Sequence, residues 1–584
     1  MKYKKQIQLI AAIVTLIVFP VITFYLMEAY THNPFEEVRP WAQFFNILLF
    51  ELLAWIFVSV TGKIQSGLRI ELVVAMIFVI ANAYVVRFRT NPIVPWDIFS
   101  WKTAASVASN YDFKPDTSMV VVTLVFLGMI VLLQFVKTGM PKFQLWKRLI
   151  PAGVCCIVLV LFVNLLQDED FQTGHRLYPF LFTPAFMTQV NGMAVTFAMD
   201  LAYVTVEKPS GYDAAKEQAV LESYTEQEDD ADSSDKKEEL PNIIVVMNES
   251  FSDLKVLGDF TTNEDYMPYL HSLLNGAENT VTGYLNVSVC GGNTANTEFE
   301  FLTGNSMAFL PQGSIPYQQY IKSRTPSLAG YLKSLGYATY AQHPYQASGW
   351  NRDKVYPLLG FDNLDFMEDY RDVSYVRNYI SDASDMEHII ETYEKNKASG
   401  KPAFIFNVTM QNHGGYTDTY MNLTNDIQSQ YASEPLNQYL TLIHKTDQAL
   451  ENLIDYFSKV DDRTIIVFFG DHQPNDTVAS VVENGAQAET QKRYLVPYLV
   501  WSNYGIEGAK DKNTSLNYLA AQVLTAAGVP TNAYQNYLLS LSKTYPVISE
   551  AGQTKGIGAD EKQLQTYKKL QYYQLFEKNK EKDE

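Results

Sequence analysis

The sequence predicts an N-terminal all-α transmembrane bundle of five helices followed by an extracellular α/β domain. Long apolar stretches crowd the first 170 residues, whereas the second half alternates short β-branched runs with helical stretches. At 584 residues the chain exceeds one typical domain, so a membrane part and a soluble part are expected. Their boundaries are read as a transmembrane domain over 1–167, an amphipathic segment and acidic linker over 168–240, an external α/β domain over 241–550 and a charged tail over 551–584.

The apolar stretches lie near 6–27, 41–61, 70–86, 118–136 and 149–166, each close to the roughly 20 residues that cross a bilayer. The first follows Lys2, Lys4 and Lys5, but no small-x-small cleavage site comes after it, so it reads as a retained anchor. Lys63 and Arg69, and then Lys137, Lys142, Lys147 and Arg148, make alternate turns basic, while Glu36 and Glu37 outweigh Arg39 between them. By the positive-inside rule the N-terminus is cytoplasmic and the C-terminal part is outside. The 87–117 loop is mixed in charge and is counted as external because the other loops agree. A sixth apolar segment, about 180–205, is broken by Pro184, Gln189, Asn191 and Asp200, and is expected to lie along the outer surface. Glu51 stands within the second span, where a carboxylate needs a partner, and Asn82 in the third span is the candidate.

A net charge of −19 argues against a nucleic-acid partner, since neutralising phosphates requires a basic groove. Much of the excess falls in 213–240, a solvated tether. Cys155 and Cys156 lie inside the fifth span and Cys290 stands alone outside, so the external domain has no disulfide framework. The tail, with Tyr567, Leu570 and Tyr573 at helical spacing, reads as a loosely held helix.

Within the external domain, strands are expected at 242–247, 280–289, 337–342, 403–409, 464–469 and 494–501, and helices at 326–335, 383–396, 434–458 and 515–527. Three strands end in residues that can do chemistry: Glu249 after the first, His413 after the fourth and the Asp471–His472 pair after the fifth. Ligands in α/β sheets collect at the carboxyl ends of strands, so these groups are expected to converge on one cleft. Carboxylates and an imidazole suit a hard or borderline divalent metal, and Thr294 adds a hydroxyl that such a metal could activate. Thr294 follows a glycine pair and opens a helix-like segment, so it can face N–H groups that favour a phosphate. Downstream, Trp350 and Arg352 combine an aromatic face with a guanidinium able to grip a phosphate by two parallel hydrogen bonds. His271, His388 and His444 sit among Leu and Ile in helical stretches and are set aside; His343, before a proline, could rim the site.

Taken in order, Asn248-Glu249-Ser250, Gly292-Asn293-Thr294-Ala295-Asn296-Thr297-Glu298-Phe299, Gln411-Asn412-His413 and Gly470-Asp471-His472-Gln473 resemble the lipoteichoic acid synthase family. These are membrane-anchored members of the alkaline phosphatase and sulfatase superfamily, and the resemblance covers nearly the whole chain. It implies a sulfatase-like domain with a central mixed sheet and one divalent cation, Mn²⁺ or Mg²⁺ in its place, held by Glu249, Thr294, Asp471 and His472. It further implies that Thr294 is the nucleophile, that His413 contacts the phosphoryl group, and that Trp350 and Arg352 hold the glycerophosphate head. The implied activity is phosphoglycerol transfer from phosphatidylglycerol through a glycerophosphoryl-threonine, in lipoteichoic acid or related cell-envelope polymer synthesis. A polyglycerophosphate chain, a glycolipid or a surface polysaccharide remains open as the acceptor.

Other readings are a surface-polymer hydrolase, a phosphoethanolamine-type transferase and a non-enzymatic scaffold. Cys290 is followed by Gly-Gly-Asn-Thr and not by x-Pro-x-Arg, which argues against formylglycine sulfatase chemistry. Phosphoethanolamine transferases usually carry more zinc-binding histidines and external disulfides than this chain offers. Retention of Thr294 with every inferred ligand argues against a scaffold.

Overall fold

The computed structural model describes residues 2–89, 92–95, 97, 114–136, 145–178, 184–201, 206–225, 239–311, 314–483, 490–549 and 561–578. The acidic run at 226–232 and the basic positions Lys137 and Lys142 lie outside the described residues. The described residues form two compact units, one running up to Leu201 and one from Val206 onward.

Among its described residues the first unit is all-α. Four helices among them are long and apolar enough to cross a membrane, Gln6–Glu28, Pro40–Thr61, Ile64–Val86 and Trp146–Leu166; the expected fourth span is the shorter apolar helix Thr117–Leu132. Gly62, at φ +69, ends the second of the long helices in the left-handed region, where a Cβ would be strained.

The segment expected on the outer surface instead packs into this unit. It forms two short helices, Pro184–Asn191 and Met193–Asp200, that meet at Gly192. The second is capped by other helices: Glu28 Oε1 accepts from Met193 N at 2.7 Å and Asn46 Oδ1 from Val195 N at 3.0 Å. Asn191 and Asp200, whose polarity suggested a wet face, are buried, and the Asn191 amide bridges the backbone N and O of Tyr178. Asn82 is not committed to Glu51 either: its Nδ2 donates to Met193 Sδ at 3.6 Å, and its Oδ1 accepts from Ile93 N at 2.7 Å.

The second unit is built on an eight-stranded mixed sheet. The strands are β1 (Asn242–Asn248), β2 (Thr280–Asn286), β3 (Ala338–Gln342), β4 (Asn363–Asp365), β7 (Ala403–Val408), β8 (Thr464–Gly470), β9 (Leu495–Ser502) and β10 (Thr514–Ser515). Their order is β10-β2-β9-β8-β1-β7-β3-β4, with β9 antiparallel to β2 and β8; a separate hairpin pairs β5 (Tyr375–Val376) with β6 (Tyr379–Ile380). Central β1, β7 and β8 are parallel and buried at every residue, which explains why they read as unbroken apolar runs. Ile243, Val245 and Met247 join the core on one face of the sheet, and Ile244 and Val246 join the core on the other.

The C-terminal helix Glu561–Phe576 is docked, contrary to the loose attachment expected for the tail. Tyr567 and Leu570 are fully buried, Tyr567 Oη donates to Gly304 O at 2.7 Å, and the Gln571 amide spans Ser306 N and O.

Gly470 closes β8 where the chain passes under Phe251, and a Cβ there would stand 1.8 Å from Phe251 O. Backbone oxygen cannot swing aside as a side-chain tip can. Gly470→Ala is therefore expected to displace the following Asp471 and abolish divalent-cation binding, measurable by calorimetric titration; native affinity would refute this.

Candidate active site

The parallel register aligns the ends of the three central strands. Asn248 pairs with Gly470 and Met247 with Val408, so Glu249 and Asp471 emerge side by side and the Gln411–His413 segment follows next to them. One ligand atom each from Glu249, Asp471 and His472 lies within 4.8 Å of the others, and all three residues are buried. Local hydrogen bonds fix the turn: Asp471 Oδ1 accepts from Ser250 N at 2.6 Å and from His472 N at 2.8 Å. Ser250, at φ +52, and Asn293, at φ +65, stand in the left-handed region beside Glu249 and Thr294. Such conformations persist only where surrounding structure holds them.

Thr294 opens a fully buried helix, Thr294–Thr303, and its Oγ1 donates to Glu249 Oε2 at 3.2 Å. The hydroxyl of Thr297, one turn on, donates to Asp471 O at 2.9 Å and ties this helix to the end of β8. Asn293 makes no side-chain cap, so the helix start is held by tertiary contacts.

The electrostatics call for a cation. His472 Nε2 lies 3.2 Å from Asp471 Oδ2 and 3.8 Å from Glu249 Oε1, yet among the described residues Asp471 Oδ2 and His472 Nε2 have no hydrogen-bond partner. His472 Nδ1 faces Gln473 O at 2.9 Å, which suits an Nδ1–H tautomer with the Nε2 lone pair directed at the carboxylates. Burial pushes Asp471 up to about 7, with Glu249 adding to the rise and His472 opposing it. Two carboxylates and an imidazole nitrogen, with Thr294 Oγ1 beside them, fit a hard or borderline divalent ion.

A pH dependence follows. The folded state raises Asp471 above its unfolded value of about 4, so metal-free protein loses stability as pH climbs through the window up to about 7. Added Mn²⁺ should therefore raise Tm more at pH 8 than at pH 5, where protons compete for the ligands. Equal shifts at both pH values would contradict this ligand set.

Arg352 is placed differently from the sequence expectation. Its Nε and Nη2 donate to Glu298 Oε1 at 3.0 and 2.5 Å, and Tyr356 Oη donates to Glu298 Oε2 at 2.8 Å. Arg352 and Glu298 are both buried, so the forked edge expected to grip a phosphate is occupied by a carboxylate, with the Nη1 end outside that contact. Trp350 and Asn351, at φ +54 and +58, precede Arg352, and Trp350 is half-buried. His343 lies within the field of Arg352 with Nδ1 2.7 Å from Val408 O; burial, then that guanidinium, holds it well below the usual imidazole range. His413 Nδ1 is 3.2 Å from Tyr379 Oη, and burial lowers its basicity, with Glu249 opposing and Arg377 and His472 reinforcing the effect.

His271 pairs with Asp265 and Asp253, and His388 pairs with Asp365; neither belongs to the Glu249 cluster. A second layer was not singled out from sequence. Asp382 Oδ2 accepts from Asn248 Nδ2 at 2.9 Å and Thr446 Oγ1 at 2.6 Å, and Asn412 Nδ2 donates to Asn248 Oδ1 at 2.9 Å. This network joins the ends of β1 and β7 behind the cluster.

Residues 241–529 match the sulfatase family model. Over 482 residues the chain is 30% identical to a putative cyclic beta-1,2-glucan modification protein of Rhizobium meliloti (strain 1021), covering 79% of this chain and 73% of that protein. The chain belongs to the sulfatase family. Lipoteichoic acid synthases are among the relatives of this sulfatase-family protein: that of Staphylococcus saprophyticus is 26% identical over 234 residues, 40% of this chain and 35% of its own length. The fold of the Streptococcus pyogenes phosphoglycerol transferase GacH, solved with sn-glycerol-1-phosphate, superposes with a TM-score of 0.51 at 21% identity, covering 63% of this chain and 95% of that one. The sulfatase-family protein thus joins apolar N-terminal helices to a sulfatase-like domain and has lipoteichoic acid synthases among its relatives.

Proposed function

We propose that the protein is a metal-dependent phosphoglycerol transferase that takes its donor, phosphatidylglycerol, from the membrane and modifies a cell-envelope glycopolymer. The observation that carries this reading is the Thr294 hydroxyl, hydrogen-bonded to Glu249 beside the unpartnered Asp471 Oδ2 and His472 Nε2. Glu249, Thr294, Asp471 and His472 would hold one divalent ion, with Mn²⁺ favoured by the single imidazole and Mg²⁺ as its substitute. The ion supplies positive charge that favours the threonine oxyanion and the charge developing on phosphorus.

Thr294 Oγ attacks phosphorus as the bond to the diacylglycerol oxygen breaks, and the proton lost by the threonine is balanced by the one gained by diacylglycerol. His413, with Nδ1 facing the Tyr379 hydroxyl, presents Nε2 to a phosphoryl oxygen. Trp350 and the Nη1 end of Arg352 receive the glycerol head. An acceptor hydroxyl then displaces Thr294 and completes the transfer. A surface glucan or other polysaccharide is favoured as acceptor by the name of the relative at 30% identity. The catalytic domain would face the outside, as the charge of the turns between spans suggests.

Full-length protein in vesicles of phosphatidylglycerol labelled in its glycerol head tests this. Release of diacylglycerol with label passing to added glucan is expected. Free glycerophosphate as the sole labelled product would establish a hydrolase instead.

A further inference from the structure

Arg377 is a buried cation held by carbonyls and ring faces, with no carboxylate among those contacts. It stands between β5 and β6 at φ +56 and is 4% exposed. Its Nη2 donates to Gln411 O at 2.6 Å and to His413 O at 2.7 Å. The guanidinium lies 5.4 Å from the ring centroids of both Tyr379 and Tyr416 and 6.0 Å from that of Tyr420. Nε and Nη1 have no hydrogen-bond partner among the described residues. Stacked tyrosines offset part of the desolvation cost of such a charge, but an apolar side chain would fill the same space without that cost. The charge therefore calls for a reason beyond packing.

Its placement supplies one. Arg377 pins both carbonyls flanking Asn412, and one of the tyrosines it stacks on, Tyr379, places its hydroxyl 3.2 Å from His413 Nδ1. A hydroxyl donating to Nδ1 leaves the imidazole proton on Nε2, the atom able to donate to a phosphoryl oxygen. Asn422 secures the turn by donating to Arg377 O at 3.0 Å and to Tyr375 O at 3.1 Å. One guanidinium thus fixes the position, the hydrogen-bond partner and the electrostatic surroundings of His413.

We propose that Arg377 is the positioning residue for His413 and the fixed positive charge behind the site's phosphoryl-binding face. The inference rests on the reading above, in which His413 meets the transferred group. Arg377 does not touch the substrate; it acts by holding the loop and the tyrosine that do the aligning.

The test uses full-length protein in detergent with Mn²⁺ bound, titrated calorimetrically with inorganic phosphate and separately with glycerol phosphate. Arg377→Met should retain Mn²⁺ binding but weaken both anions by about tenfold or more. Arg377→Lys keeps the charge but not the planar face that stacks on the tyrosines, so its phosphate affinity should fall between that of Arg377→Met and wild type. On a soluble phosphodiester the Met variant should raise KM more than it lowers kcat. Tyr379→Phe, which keeps the ring under Arg377 and deletes the hydroxyl, should weaken phosphate binding with Mn²⁺ affinity unchanged, and it decides the matter if the Met variant does not fold. Wild-type phosphate affinity in Arg377→Met, or in Tyr379→Phe where that variant decides, would overturn the inference. So would equal loss of Tm in the Met and Lys variants with affinity intact, the mark of a purely structural role. If wild-type protein binds phosphate but not glycerol phosphate, the phosphoglycerol reading fails while the phosphate titrations still judge Arg377.

Discussion

Replacing Thr294 with alanine is expected to abolish diacylglycerol release, with a loss on the order of 10³-fold or more, because the nucleophile is removed. The structural cost should be small. Thr294 Oγ1 donates to Glu249 Oε2, and the helix behind it is anchored by Phe299, Phe301 and Leu302 in the core. Losing one such bond costs about 1 kcal/mol. The variant should therefore fold with nearly unchanged Tm, and wild-type turnover in it would remove threonine from the mechanism.

Arg352→Ala should have the largest effect on stability, because it strands Glu298. That carboxylate is fully buried and takes two hydrogen bonds from Arg352 and one from Tyr356. Breaking a buried ion pair by removing one partner costs about 3–5 kcal/mol, mostly through the uncompensated charge. Arg352→Lys keeps the charge but cannot reproduce the two-pronged contact, so it should fall between wild type and alanine. Denaturant unfolding of the three proteins measures this order; an alanine variant as stable as wild type would show that Glu298 finds another partner.

The sequence made the frame of the fold legible because the central strands are buried on both faces. Such strands must be continuously apolar, so β1, β7 and β8 lie within a residue of the expected runs. Strands of two or three residues, such as β4, β5, β6 and β10, carry no period to detect. The packing of 184–200 into the helical unit was hidden because the backbone N–H groups of Met193 and Val195 are satisfied by Glu28 and Asn46, more than 140 positions away in the chain. The terminal helix misled for a similar reason: its charges are local, whereas Tyr567 and Gln571 dock on residues near Gly304. At the site, convergence of Glu249, Asp471 and His472 could be read from strand ends. The Glu298–Arg352 pair spans 54 positions and the hold of Arg377 on the Gln411–His413 loop joins two separate segments, so neither leaves a local sequence signal.

Covalent capture of the transferred group tests the account most directly. Wild-type protein is mixed with phosphatidylglycerol vesicles and Mn²⁺ without acceptor, quenched in acid and digested, and the peptide containing Thr294 is analysed by mass spectrometry. The account predicts a glycerophosphoryl group on Thr294 that appears with the first burst of diacylglycerol and vanishes when acceptor is added before the quench. Diacylglycerol accumulating while Thr294 stays unmodified at every time point would contradict it.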